Sequence, residues 1–197
     1  MAFFKPAELS RQLGLDLSNP TLLVTYHPVT LELNQTERQV AELLAAVNCW
    51  KHNVLFTYPN VDPSNRVIIE MIDHATDGND RFMNIPNLGT RAYLSLLRLA
   101  TAMVGNSSSG IIEAASFKLP VVNIGTRQRG RLRGMNVIDV GYDRDEIFMA
   151  IEMAVSSQFR ATLSNIGNLY GDGYAAARIL DILKNVPLDG KLLLKRF

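Results

Sequence analysis

The chain has 197 residues, enough for one large or two small domains, and is 47% hydrophobic and 20% charged, the balance of an ordinary globular protein. Its formal net charge of +1 gives no general affinity for nucleic acid or acidic membranes, and no apolar run approaches the length of a membrane span. The single cysteine, Cys49, excludes an intrachain disulfide and a cysteine metal cluster. The first residues, MAFFKPAELSRQLGL, lack the basic segment and apolar core of a signal peptide, so a reducing cytoplasm is the expected compartment.

Strand and helix signals alternate along the chain. Residues 1–18 read as a lead-in helix, closed by Ser18-Asn19-Pro20. Thr21 to Tyr26 is a short apolar strand ending at His27-Pro28. Residues 34–50 carry Val40, Leu43, Leu44, Val47 and Trp50 at helical spacing. Val54 to Thr57 is the next strand, closed by Tyr58-Pro59-Asn60. Asp62-Pro63 then opens a helix with Ile68, Met71, Ile72 and Ala75 inward. Phe82 to Ile85 is a strand stopped by Pro86, and Thr90 to Ala100 a helix. Strands at Ala102 to Val104, Val121 to Ile124 and Asn136 to Val140 follow, with helices at Asp145 to Ser156 and Tyr174 to Lys184. About six near-continuous apolar strands, each followed by a helix, imply an α/β Rossmann-like doubly wound parallel sheet. Residues 21–185 are expected as one domain, with 1–20 as lead-in and 186–197 as a tail that packs through Leu192 to Leu194 and Phe197.

The most informative stretch is 105–134, GNSSSGIIEAASFKLPVVNIGTRQRGRLRG. Small hydroxyl residues and two glycines sit where a strand turns into a helix, with Ile111, Ile112, Ala115 and Ser116 on one side of that helix. Helix N-terminal amides lack intrahelical partners, and small side chains let an anion approach them. Ser107 to Ser109 either cap the helix alone or also cradle a phosphate. Glu113, one turn in, is suited to accept hydrogen bonds from sugar hydroxyls. Phosphate and ribose together would make a nucleotide. Arg127, Arg129, Arg131 and Arg133 follow the next strand, at the edge where ligands of open α/β sheets bind. They either pair with a diphosphate or form a solvated basic loop or macromolecular contact. Neither GxGxxG nor GxxxxGK[ST] is present, so the nucleotide is held by another arrangement.

His27 lies at the carboxyl end of the first strand, where it either faces a ligand as acid, base or donor, or bonds to backbone as a loop histidine. Asn60 either binds ligand hydroxyls or serves as a turn residue. The main chain around Ile85-Pro86-Asn87 either brackets a flat base or simply ends the strand. His52 and His74 read as surface residues, and Gly171-Asp172-Gly173 as the lead into the last helix. No carboxylates pair as an acid/base couple: Glu32, Asp62, Glu113 and Asp139 stand apart. No cofactor or metal is called for.

TYHPVT (25–30), YPNVDP (58–63), GNSSSGIIEAASFKLPVVNIGTRQRGR (105–131), NVIDV (136–140) and YGDG (170–173) together resemble the C-terminal half of hydrolysing UDP-N-acetylglucosamine 2-epimerases. The resemblance implies the second, nucleotide-binding domain of the two-domain architecture shared with B-type glycosyltransferases. It implies elimination of UDP to a glycal and its hydration to N-acetylmannosamine, as in sialic acid biosynthesis. It puts Ser107 and Ser108 on the diphosphate, Glu113 on the ribose, Arg127 near the phosphates and the Ile85 main chain on uracil. His27 and Asn60 would face the sugar and diphosphate, His27 as a catalytic group. His27-Pro28-Val29-Thr30 and Asn106-Ser107-Ser108-Ser109 stand where the non-hydrolysing branch has His-Arg-Arg-Glu and Asp-Ser-Gly-Gly. The family's first domain, with its acidic residues, is not in this sequence. The implied partners are therefore a UDP-sugar, that first domain and further copies in a homo-oligomer, with neither nucleic acid nor membrane. The isolated chain is expected to bind without turnover. A glycosyltransferase donor domain and a non-enzymatic nucleotide-sugar module are the alternatives.

Overall fold

A computed structural model describes residues 2–193. Its centre is a six-stranded sheet, all parallel, in the order β3-β2-β1-β4-β5-β6. The strands are β1 (Thr21–Thr25), β2 (Asn53–Thr57), β3 (Phe82–Ile85), β4 (Ala102–Gly105), β5 (Val121–Ile124) and β6 (Val137–Val140). This is the doubly wound Rossmann-like arrangement. Its order reverses between β1 and β4, which is where such sheets open a crevice for ligands.

Both faces of the sheet are covered, which is why its central strands carry consecutive apolar residues, such as Leu22-Leu23-Val24 and Val54-Leu55-Phe56, rather than alternate ones. Leu22, Val24, Val54, Phe56, Val104 and Val122 point to one face. There they meet α2 (Thr36–Asn48), α3 (Asn65–Thr76) and α6 (Arg144–Val155) through Val40, Leu43, Ile68, Ile72, Ile147 and Ile151. Leu23, Leu55, Met103 and Val121 point to the other. They pack on α1 (Pro6–Leu13) through Leu9 and on α4 (Gly89–Leu99) through Ala92, Leu96 and Leu97.

Several local expectations change. The helix expected over 34–50 begins as a 3-10 turn at Thr30–Gln35 and ends at Asn48, although Trp50 still packs into the core. Asp62-Pro63 does not open a helix. Ser64 sits at φ 67° and α3 starts at Asn65. The helix after β4 is only α5 (Ser108–Ile112), followed by a 3-10 turn at Ala114–Phe117, and Ser116 is exposed rather than inward. Glu113, at φ −104° and ψ −38°, joins the two turns, and Ala114 and Ala115 after it are both buried. A helix α7 (Ser157–Thr162) was not expected. Its N-cap is Ser156, whose Oγ accepts from the Phe159 amide at 3.2 Å.

The last helices, α8 (Ala175–Asn185) and α9 (Gly190–Leu193), follow. Asp172 leads in, accepting from the Tyr174 amide and pairing with Arg178. Helix α8 buries no residue: Ile179, Leu180, Ile182 and Leu183 are all more than half exposed. The packing expected of the tail falls mostly on Leu194 to Phe197, outside the described residues, and Leu192 is exposed. Among the described residues no helix is long and apolar enough to cross a membrane.

Candidate functional site

A cleft of about 680 Å³ opens at the switch point, at the carboxyl ends of β1, β2 and β4. Thr25 and Thr57 form its floor, their hydroxyls 2.5 Å apart. His27, Asn60, Pro86, Asn87, Tyr93, Ser107, Ser109 and Glu113 line its walls.

The chain reaches this cleft from β4 through Gly105. Its φ of 131° turns the backbone sharply beside Thr25, and a Cβ there would lie 2.0 Å from the Thr25 carbonyl oxygen. Only glycine fits such an approach. Ser107 is then the N-cap of α5, its Oγ accepting from the Ser109 amide at 3.3 Å. So Ser107 both caps a helix and lines the cleft. Ser109, outside the expected set of ligand contacts, donates its hydroxyl to Glu113 Oε2 at 2.5 Å. Tyr93 was not expected either. It projects from α4 with its hydroxyl among Ser107, Ser109 and Thr25, and burial raises its pKa. Nothing in the helical spacing of Leu94, Leu96, Leu97 and Leu99 marks this one aromatic residue as cleft-facing.

His27 is buried, and its ring spans the loops after β1 and β2. Its Nδ1 accepts from the Asn60 main-chain N–H at 3.1 Å. Burial pulls the imidazole pKa down to about 4, assisted by the cation of Arg127 and opposed by Asp62. His27 is therefore a neutral ring at pH 7, not a cationic acid. Arg127 does not line the cleft itself; its guanidinium donates to the Asn106 carbonyl at 3.3 Å, close to His27 and Asp62. Burial lowers its pKa, and the Asp62 carboxylate opposes that.

The other candidate positions separate. The Asn60 side chain is exposed at the rim. Ile85 packs against the second core layer, while the following Pro86 and Asn87 reach the cleft. Ser108 begins α5 beside the cleft without lining it. Arg133 is tied into the loop rather than free in solvent. It donates to both carboxylate oxygens of Asp139 and to the carbonyls of Gln128 and Arg131, so it pins the loop. The basic loop thus has a structural arginine at one end and exposed Arg129 and Arg131 in its middle.

Residues 5–184 match the family of UDP-N-acetylglucosamine 2-epimerases. The chain belongs to that family. It is 38% identical over 192 residues to a Campylobacter jejuni GDP/UDP-N,N'-diacetylbacillosamine 2-epimerase (hydrolyzing), covering 96% of this chain and 50% of the relative. It is 34% identical over 186 residues to a Legionella pneumophila UDP-N,N'-diacetylbacillosamine 2-epimerase (hydrolyzing), covering 94% and 48%. The chain therefore spans about half the length of these relatives. Its fold matches the S. aureus MnaA-UDP co-structure with a TM-score of 0.70 at 16% identity, over 92% of this chain and 48% of that one. It also matches UDP-GlcNAc 2-epimerase from Neisseria meningitidis bound to UDP-GlcNAc, at a TM-score of 0.65 and 16% identity, over 91% and 48%. At these identities the structures establish the epimerase fold, and the sequence relatives the family.

Proposed function

We propose that this chain is the nucleotide-binding half of a hydrolysing 2-epimerase acting on a UDP-activated 2-acetamido sugar. The observation that carries the reading is the convergence of Ser107, Ser109, Glu113 and His27 on one cleft at the switch point of the sheet. The Ser107 and Ser108 hydroxyls and the amides at the start of α5 suit a diphosphate. Glu113 suits the ribose hydroxyls, and Arg127 supplies a nearby cation. The main chain following Ile85 suits the uracil edge, with Asn60 at the sugar side. His27, neutral, donates a hydrogen bond from its Nε2–H toward the oxygen on which charge builds as UDP departs. Such an interaction strengthens toward the transition state.

Among the described residues Glu113 is the carboxylate that lines the cleft, and Asp62 stands near His27 outside the lining. The groups that remove and return the C2 proton would then come from the half of the family's length that this sequence does not span. The uncovered apolar side of α8 is a suitable surface for that half. UDP-N-acetylglucosamine, giving N-acetylmannosamine, is one substrate consistent with this reading. The UDP-N,N'-diacetylbacillosamine of the two relatives named above is the other.

Calorimetry with UDP, uridine and inorganic diphosphate, joined to a product assay with both UDP-sugars, tests the proposal. The expected result is UDP binding without turnover by the 197-residue chain, and release of UDP and free sugar, without any acceptor, once the other half is supplied. No binding of UDP would overturn the nucleotide reading. Turnover only with an acceptor would make the protein a glycosyltransferase. Robust turnover by the chain alone would remove the need for a second half.

A further inference from the structure

We propose that Asn106 is a positioning residue for His27: its carboxamide and the Asn60 main-chain N–H together hold the imidazole as the Nε2–H tautomer, facing the cleft as a neutral donor. The role of that donor toward a diphosphate rests on the function proposed above. The tautomer and its cause do not.

The β1–β4 ladder ends at the pair Thr25–Gly105. Beyond it the Asn106 amide still donates to the Thr25 carbonyl at 3.1 Å, but the backbone has already turned away at Gly105. The Asn106 side chain then takes the place of a main-chain peptide. Its Oδ1 accepts from the His27 amide at 2.7 Å, and its Nδ2 donates to the His27 carbonyl at 2.8 Å. A primary carboxamide presents a donor and an acceptor side by side, as one residue of a strand does. Asp lacks the donor, and Ser is too short to span both groups. Asn106 is fully buried, and its own carbonyl is held by Gln128 Nε2 at 2.8 Å as well as by Arg127. On the other side, Pro28 confines His27 to extended backbone.

With its main chain fixed on two sides, the His27 ring meets the loop after β2. The Asn60 N–H can only donate, so Nδ1 carries a lone pair, and the proton of the neutral ring lies on Nε2. Charging the ring would take away the acceptor of that N–H. The charged groups that face His27 are Arg127, from the loop after β5, and Asp62, from the loop after β2. They act in opposite directions, so neither overrides the tautomer set by hydrogen bonding.

The test is long-range proton–nitrogen NMR of the histidine rings in the whole chain, with His27 assigned by loss of its signals in His27→Gln. The expected spectrum shows Nδ1 unprotonated and Nε2 protonated at neutral pH, with no titration in the ordinary histidine range. A protonated Nδ1, or an averaged mixture, overturns the proposal. Asn106→Asp keeps the acceptor, loses the donor and adds a negative charge. It should raise the His27 titration midpoint by roughly one pH unit or more. It should also weaken UDP several-fold while leaving uridine nearly unchanged. A midpoint, tautomer and UDP-to-uridine ratio all equal to wild type would show that Asn106 does not position His27. Loss of the fold in both Asn106→Asp and Asn106→Ser would assign the residue to architecture alone, which also overturns the proposal. If wild type shows the expected tautomer and Asn106→Asp the expected rise, yet neither binds UDP, the nucleotide reading fails and the positioning role stands.

Discussion

Glu32 and Tyr142, 110 positions apart, meet at 2.6 Å across the carboxyl edge of the sheet. The same carboxylate accepts from the Thr126 hydroxyl at 2.5 Å and from Gln39 Nε2 at 2.7 Å, and Gln39 in turn accepts from buried Tyr26 at 3.0 Å. One side chain thus ties the segment after β1 to the loops after β5 and β6. The first two of these segments carry His27 and Arg127. Tyr142 can lie there only because Gly125 has no Cβ; one would fall 2.2 Å from its ring.

Glu32→Ala should cost about 1–3 kcal/mol, the range for losing charge-assisted hydrogen bonds at a partly buried carboxylate. The bonds from Thr126 and Tyr142 hold its pKa below the usual 4.5. A lowered folded pKa means stability that is present above the unfolded value and is lost as pH falls through the folded one. Urea midpoints of wild type should therefore drop below about pH 4.5, and those of Glu32→Gln should drop less. Parallel curves would show that the network adds nothing.

Gly105→Ala should prevent folding or cost at least ~3 kcal/mol, combining a disallowed positive φ with a clash against backbone. The clash is with the Thr25 carbonyl, which cannot move without breaking its bond from Asn106. Gly130→Ala is the control, since Gly130 has φ 83° but nothing within 4 Å. It should lose only about 1 kcal/mol. Thermal melts of the two variants compare them directly, and equal losses would mean that the close approach at Thr25 relaxes freely.

Arg133→Ala should destabilise the protein by about 1–3 kcal/mol, because the loop loses the guanidinium that links the Asp139 carboxylate to the Gln128 and Arg131 carbonyls. Arg129→Ala, on an exposed side chain, should stay within about 0.5 kcal/mol. Chemical denaturation distinguishes them. Read from sequence, these two arginines look alike, since a run of Arg alternating with other residues carries no sign of which one folds back. What decides it is Asp139, presented by the neighbouring strand β6 and itself bonded by Asn123 at 2.6 Å.

The same division runs through the whole chain. Six strands and the main helices were legible because burial on both sheet faces demands unbroken apolar runs such as Leu22-Leu23-Val24. The cleft was legible because Gly105, Ser107, Ser109 and Glu113 are close in sequence and share one turn. Tyr93 and Asn106 were not, since their importance comes from partners in other elements. Glu32 looked like an isolated acid for the same reason: its three donors lie at positions 39, 126 and 142. The helix after β4 is shorter than its spacing suggests, because apolar spacing does not distinguish an α-helical turn from the 3-10 turn that follows at Ala114–Phe117.

Glu113→Ala should weaken UDP much more than inorganic diphosphate. In the function proposed above, its carboxylate, already oriented by Ser109, takes the ribose hydroxyls, whereas serines and amides take the phosphates. Each lost charge-assisted bond corresponds to at most roughly 1.5–3 kcal/mol of binding. Calorimetry with the two ligands reads the difference. Equal losses would make Glu113 a structural partner of Ser109 and nothing more.

His27 gives the protein an acid sensitivity that its carboxylates do not. Its folded pKa, about 4, lies below the ordinary histidine value of 6.5. As pH falls, the unfolded chain takes up a proton before the folded one does. The His27 contribution is therefore complete above pH 6.5 and is lost progressively down to about 4. A tenfold difference in proton affinity between the two states corresponds to about 1.36 kcal/mol, so the loss across that window is roughly 3 kcal/mol. Between about pH 6.5 and 5 ordinary carboxylates remain ionised, so the decline there belongs to histidine. Urea unfolding at closely spaced pH values should show wild type losing stability through this interval while His27→Gln stays nearly flat. A wild-type curve that is level until carboxylate titration begins would mean that the His27 ring can charge in place. Its Nδ1 would then not be held by Asn60, and the neutral donor in the wall of the cleft would be lost with it.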